Sequence, residues 1–336
     1  MRFRIAGRAG EIPPFFFANF TAGRIRSGCR EGLRNVSSAC RRSSIRCIIS
    51  VTRQRKRIDF EPLNVPIRFR IKGEQVNLKD YSAQNKKAWE FDAYAFWIRH
   101  AGTPEERAAE DVKDPLKMLR RHAQYFDSFK GVRIANICGS CGKKAVPLAL
   151  LGADVTVFDI SEANKRYALE VAEAAGTQIE YVVGDVLEID TDRYSDWFDV
   201  VFMEGGVLHY FHDIDEFMRI MHAILKPGGR IICSDFHPFT KISDSLNFQM
   251  PAMSYFSTEI FEGEMAHARF YDEEIRKTFP KCSYRKYTIS EILNAMIRSG
   301  FTIRRFDEHP SWKNEDLPGE FTAVGVKEAI NDTEPA

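Results

Sequence analysis

Five short apolar runs, 132–137, 154–158, 179–183, 198–203 and 229–234, punctuate the middle of the chain, and their lengths suit strands buried on both faces. The stretches between them at 145–151, 161–175 and 214–225 space their apolar residues as helices do. Strands that alternate with helices predict an α/β fold built on a doubly wound, mostly parallel sheet, because each parallel pairing needs a crossover. Upstream, between 81 and 129, Ala88, Trp89, Phe91, Tyr94, Ala95 and Ile98 fall on or near one helical stripe, so two or three helices precede the sheet. Residues 239–286 break the rhythm and read as an insertion. A helix over 290–299 and two strands, 301–306 and 321–326, close the pattern.

This organisation divides the chain into a leader at 1–58, a linker with cap helices at 59–130, a core at 131–328 that contains the substrate-side insertion 239–286, and a tail at 329–336. The formal charge of +1 hides an asymmetry, for residues 1–58 carry thirteen Arg and one Lys against Glu11 and Glu31, about +12, which leaves the rest near −11. Three readings of the leader stay open: a transit peptide, a nucleic-acid-binding arm, or upstream sequence outside the native protein. No apolar run approaches the roughly 18 residues of a membrane span. Seven scattered cysteines, an odd number, do not form a disulfide framework. The expectation is a soluble cytoplasmic protein, with an organelle as the alternative if the leader is a transit peptide.

The chemistry concentrates where strands end. The first core strand runs into Asn136-Ile137-Cys138-Gly139-Ser140-Cys141-Gly142, small residues that let backbone pass close beneath a ligand. The second ends in Asp159, followed by Ile160, at the position from which a carboxylate accepts ribose hydroxyls, although Asp159 or Ser161 would also serve as a helix cap. The third delivers Gly184-Asp185-Val186, where Asp185 is either an acceptor for a nucleobase amino group or a solvated loop acid. The fourth leads into Glu204-Gly205-Gly206-Val207-Leu208-His209-Tyr210, and Leu225-Lys226-Pro227-Gly228-Gly229 introduces the fifth.

That ordered set resembles the class I S-adenosylmethionine-dependent methyltransferases over roughly residues 80–328. The resemblance implies a seven-stranded Rossmann-like sheet with an antiparallel last strand. It implies S-adenosylmethionine as cofactor, with Asn136, Gly139 and Gly142 along its methionine and ribose portion, Asp159 and Ile160 at the ribose, Asp185 and Val186 at adenine, and Glu204 on the sulfonium side. The chain departs from the family pattern at three points: Asn136 replaces an acid, and Cys138 and Ser140 stand where glycines are common. Pro147 also falls inside the expected following helix.

Methyl transfer rests mainly on positioning, so few catalytic residues are expected. His209 is the candidate base, with Tyr210 and Glu204 as alternatives, against the reading that His209 merely packs at the sheet edge. A nicotinamide-dependent oxidoreductase would share the glycine loop and ribose acid but lacks the full dinucleotide fingerprint. A non-catalytic adenosyl-ligand-binding relative is the third reading. Cys138 and Cys141 form no zinc site without a second ligand pair, so no metal is expected. Base methylation is disfavoured, because Glu204-Gly205-Gly206 occupies the place where such enzymes resemble an Asn or Asp followed by two Pro and an aromatic residue. The expected partner is a small molecule, aromatic or apolar, between the early helices and the insertion, where Tyr81, Trp89, Phe239, Phe248, Tyr255, Phe256 and Tyr271 lie.

Overall fold

The computed structural model describes residues 78–239, 254–312 and 314–329. The expectations for 1–77, for Phe248 and for 330–336 lie outside them.

Among the described residues, four helices precede the sheet: α1 (Leu78–Glu90), α2 (Ala93–Ala101), α3 (Pro104–Lys113) and α4 (Pro115–Leu119), followed by a 3-10 turn at Arg120–Tyr125. The stripe read from sequence is thus split by Asp92, whose left-handed backbone ends one helix and starts the next. Thr103 and Glu106 close a capping box on α3, and Pro104 occupies its first position, where a missing N–H costs nothing.

The core alternates β1 (Arg133–Ile137), α5 (Ala145–Leu150), β2 (Asp154–Asp159), α6 (Glu162–Ala174), β3 (Glu180–Val183), β4 (Phe198–Met203), α7 (Ile214–Ile224) and β5 (Leu225–Phe236). A separate hairpin of β6 (Ile260–Glu264) and β7 (Lys281–Arg285) lies in the insertion, and β8 (Phe301–Pro310) and β9 (Pro318–Lys327) follow the helix Ile289–Arg298. Seven strands form one sheet in the order β3-β2-β1-β4-β5-β9-β8, parallel from β3 to β5, with β9 antiparallel to both its neighbours. This is the doubly wound, mostly parallel arrangement expected. The order reverses between β1 and β4, which opens a crevice at their carboxyl ends.

Both faces of the sheet are covered, so its central strands are mostly apolar. On β4, Val201 and Met203 enter one cluster with Phe217 and Met221 of α7, while Val200 and Phe202 enter the other with Leu148 of α5 and Leu119 of α4. Pro147 is accommodated because α5 begins only two residues before it, inside the turn whose N–H groups have no helical partner. The Leu225-to-Gly229 segment, read as introducing the fifth strand, is itself part of β5, with a register shift against β4. Among the described residues no helix is long and apolar enough to cross a membrane.

The insertion and the N-terminal helices pack on each other. Ala88 of α1 is buried with Met265, Ala268, Phe279, Cys282 and Tyr284, and Trp89 and Phe91 flank that cluster. Glu90 reaches across to accept from the free N–H groups of Glu162 and Ala163 at the start of α6, which ties α1 to the carboxyl edge of the sheet.

Candidate functional site

A cavity of about 440 Å³ opens at the carboxyl ends of β1 to β4, and α1 together with Ala266 and Arg269 supplies further wall. Asn136, Gly139, Asp159, Ile160, Asp185, Val186, Glu204 and Tyr210 all line it.

On β1, the Asn136 amide donates to the Phe202 carbonyl at 3.3 Å, while its Oδ1 is buried without a hydrogen-bond partner among the described residues. Gly139 is what keeps that oxygen uncovered: a Cβ there would stand 2.5 Å from Asn136 Oδ1 and 2.8 Å from Val157 Cγ1. Cys138 and Ser140 both take φ of 50°, the left-handed region that costs a side chain about 1–2 kcal/mol. Hydrogen bonds hold them there. The Cys138 N–H donates to the Phe158 carbonyl at 2.7 Å, the Ser140 N–H donates to Asp159 Oδ2 at 3.0 Å, and the Ser140 carbonyl accepts from the Tyr181 hydroxyl at 2.8 Å. The loop keeps the shape that glycines would adopt freely.

Asp159 is 6% exposed and also accepts from the Ser161 N–H and the Asn164 amide. Burial raises its carboxyl pKa, and these donors act against that rise. Ser161 caps α6, so Asp159 is not needed as the cap. Asp185 lines the cavity and also caps the turn after β3 by accepting from Leu187 N–H at 2.9 Å. Both cysteines are thiols at neutral pH: burial pushes Cys138 well above its ordinary value, with Asp159, Asp185 and Asp235 adding to the effect, and pushes Cys141 up to about 11. Among the described residues, no three His, Cys, Asp or Glu side chains assemble as a metal-ligand set.

Glu204 follows β4, and its Oε2 lies 3.7 Å from Nδ1 of buried His122, whose Nε2 contacts Ser234 Oγ at 3.1 Å. Burial lowers the His122 pKa to about 4, against the pull of Glu204, so the ring is neutral. Gly205 and Gly206, both at positive φ, turn the chain, and buried Asp235 accepts from the Val207 and Leu208 N–H groups to fix the turn.

The rest of the wall is aromatic with a polar inset. Trp89 and Tyr210 meet edge to face at 5.8 Å, and Tyr81, Phe211 and Phe236 extend that surface. The Tyr210 phenol is raised well above its ordinary value by burial and by Tyr284 beside it, so it stays protonated. Asn85 of α1 and Ser283 of β7 exchange two hydrogen bonds, at 2.8 and 3.4 Å, and Ser283 Oγ lies 3.2 Å from Nε2 of His212, which lines the cavity with Asn85.

Three expectations need correction. Gly142 does not line this cavity but a neighbouring one, and at φ 76° its missing Cβ leaves room for Ala168 of α6, 2.9 Å from where the Cβ would be. Its role is close packing of loop on helix. His209 is also absent from the cavity wall. A 3-10 turn over Leu208–Tyr210 sends successive side chains about 120° apart, so Leu208 enters the core, Tyr210 faces the cavity, and His209 packs on Tyr210 at 4.3 Å and Tyr284 at 5.1 Å. Of the aromatic residues expected at the acceptor, Tyr81 and Trp89 line the cavity. Phe239 does not, Tyr255 accepts from the Ile289 N–H, Phe256 is exposed, and Tyr271 bonds Asp92. Sequence reasoning missed His212, Asn85 and Arg269, since only the packing of α1 on the insertion brings them together.

Residues 137–233 match the family model described as a methyltransferase domain. The mouse protein named 2-methoxy-6-polyprenyl-1,4-benzoquinol methylase, mitochondrial, is 32% identical over 142 residues, which is 39% of this chain and 40% of the relative. The ubiquinone biosynthesis O-methyltransferase of Roseobacter denitrificans is 38% identical over 111 residues, 32% of this chain and 42% of its own. The chain thus spans about two fifths of the length of these curated relatives. Among solved structures, the 1,6-didemethyltoxoflavin-N1-methyltransferase of Burkholderia thailandensis, with 1,6-didemethyltoxoflavin and S-adenosylhomocysteine bound, aligns with a TM-score of 0.49 at 17% identity, covering 77% of this chain and 93% of that one.

Proposed function

We propose that this chain, which carries a class I S-adenosylmethionine-dependent methyltransferase domain, transfers a methyl group from S-adenosylmethionine to a small planar acceptor in the cavity at the carboxyl edge of its sheet. The observation that carries this reading is the buried, unpartnered Oδ1 of Asn136 under a glycine that cannot bear a side chain, at the end of a strand facing a buried carboxylate. An orphaned acceptor in such a cradle fits a ligand that brings its own donors, as the methionine ammonium and the ribose hydroxyls do. The residues therefore fit the cofactor: Asn136 and Gly139 along the methionine and ribose portion, Asp159 with Ile160 at the ribose, Asp185 and Val186 around adenine, and Glu204 on the cationic side. When bound, S-adenosylmethionine supplies a methyl group already activated on a sulfonium. The chain's part is to orient the acceptor in line with that group and to exclude water, which Trp89, Tyr210 and Phe236 serve.

Arg269 on the cavity wall makes no ion pair among the described residues, and it stacks on Phe270 at 4.9 Å. An aromatic wall beside such a cation suits a planar acceptor that carries an electron-rich or anionic substituent. The quinol and quinone names of the relatives agree with that chemistry. The test is a screen of phenols, quinols and nitrogen heterocycles with methyl-labelled S-adenosylmethionine, read by mass spectrometry. Labelled product from a planar acceptor supports the proposal, and label transfer confined to nucleic acid would overturn it.

The curated mammalian relatives carry a mitochondrial name, which together with the arginine-rich residues 1–58 favours the organelle alternative over the cytoplasm. Import of a fluorescent protein fused to residues 1–58 supports that reading, and a diffuse cytosolic signal contradicts it.

A further inference from the structure

We infer that His212 is the group that takes the proton from the methyl acceptor, and that the acceptor atom is therefore one that carries a proton, as a ring hydroxyl does; this rests on the methyltransferase reading above. His212 lies on the cavity wall, where Tyr81 meets its ring edge on at 4.2 Å. One ring nitrogen, Nε2, contacts Ser283 Oγ at 3.2 Å, and Ser283 is itself clamped to Asn85 through its backbone. The other, Nδ1, is buried and has no hydrogen-bond partner among the described residues. A buried imidazole with one nitrogen anchored and the other unpartnered is a base awaiting a donor, because an orphaned acceptor of this kind is otherwise a net cost to the fold. Burial, with the nearby Arg285 charge adding to it, keeps the ring neutral, the form able to accept.

The balance of the step is complete within the site. As the oxygen–methyl bond forms, the methyl–sulfur bond breaks and its electron pair stays on sulfur. The hydroxyl proton, made strongly acidic by the developing positive charge on oxygen, passes to Nδ1, and with Nε2–H donating to Ser283 the imidazolium has both nitrogens occupied. The positive charge that began on sulfur ends on His212 and leaves to water. The proton need not move before the methyl does, so a weakly basic imidazole suffices.

Nitrogen-15 NMR of the histidine-labelled protein with S-adenosylhomocysteine bound tests this without turnover, the His212 signal being assigned by its loss in His212→Gln. The inference requires the tautomer with hydrogen on Nε2 and an Nδ1 signal that shifts when catechol is added and not when 1,2-dimethoxybenzene is added. Hydrogen on Nδ1, or no shift with catechol at any concentration up to its solubility, overturns it. With catechol as probe acceptor, His212→Gln should lower kcat about 100-fold and Ser283→Ala about 10-fold, both with S-adenosylhomocysteine affinity kept within twofold. Unchanged kcat in His212→Gln overturns the inference. Failure of the parent to bind S-adenosylhomocysteine is a different result, which removes the methyltransferase reading itself.

Discussion

The two ends of the cavity are built in different ways. The end we assign to the adenosyl group comes from one contiguous stretch, 136–186, in which backbone groups, small residues and two carboxylates, Asp159 and Asp185, are positioned by β1, β2 and β3. The end we propose for the acceptor is assembled from α1, the segment after β4 and β7, whose members Asn85 and Ser283 stand 198 residues apart in the chain. The first is a fixed backbone cradle, and the second depends on side chains of elements that are not part of the main sheet. This arrangement lets one end hold a common ligand while the other changes with the acceptor, since loops and added elements carry specificity on a rigid scaffold.

Acid is expected to disturb both ends most strongly. His122, under the adenosyl end, and His267, stacked on Phe96 beside the acceptor end, are each 3% exposed and lowered from 6.5 to about 4, mainly by burial. A depressed imidazole pKa means that the stability is present in full above about pH 6.5 and is lost as the pH falls toward 4. At pH 5 each costs on the order of 2 kcal/mol, to be read as urea-unfolding free energies at pH 7.5 and 5. His122→Asn and His267→Asn should each reduce the stability lost between pH 7.5 and 5 by on the order of 2 kcal/mol. An unchanged slope in either variant removes that histidine from the account.

Asp159→Ala separates the ends. It should weaken S-adenosylhomocysteine binding by about 2 kcal/mol through loss of charge-assisted hydrogen bonds. Asn85→Ala should do the reverse, leaving that affinity within about twofold while lowering stability by about 1–2 kcal/mol, because the buried Ser283 N–H and carbonyl lose their partner. Equal loss of cofactor affinity in both variants would mean that the two ends are not independent.

What the sequence made legible follows the same division. Asn136, Gly139, Asp159 and Asp185 could be read because strand ends and the loops that follow them are contiguous, so their spacing fixes their position relative to the sheet. His212 could not, because its partner Ser283 sits in a hairpin that the irregular pattern of 239–286 conceals. His209 was misplaced because strand-end reasoning gives the neighbourhood of a residue but not the direction of its side chain through a 3-10 turn. Gly142 has the right residue type for a ligand loop, and its constraint comes instead from α6 behind it. At the two departures from the glycine pattern, Cys138 and Ser140, the hydrogen bonds of Phe158, Asp159 and Tyr181 hold the left-handed backbone that glycines would adopt freely.

Those two positions give the smallest predicted effect. Cys138→Gly with Ser140→Gly relieves two left-handed side chains but adds freedom to the unfolded chain, so a net gain of about 1 kcal/mol is expected in denaturant unfolding, with cofactor affinity unchanged. A loss of stability would show that the side chains contribute more by packing than their backbone conformation costs.

Isothermal titration of the full chain with S-adenosylhomocysteine, with NADH as the competing ligand class, tests the central claim most directly. Saturable binding of S-adenosylhomocysteine at one site, weakened about 30-fold by Asp159→Ala, is the result this account predicts. No heat with S-adenosylhomocysteine, or saturable binding of NADH in its place, would contradict it.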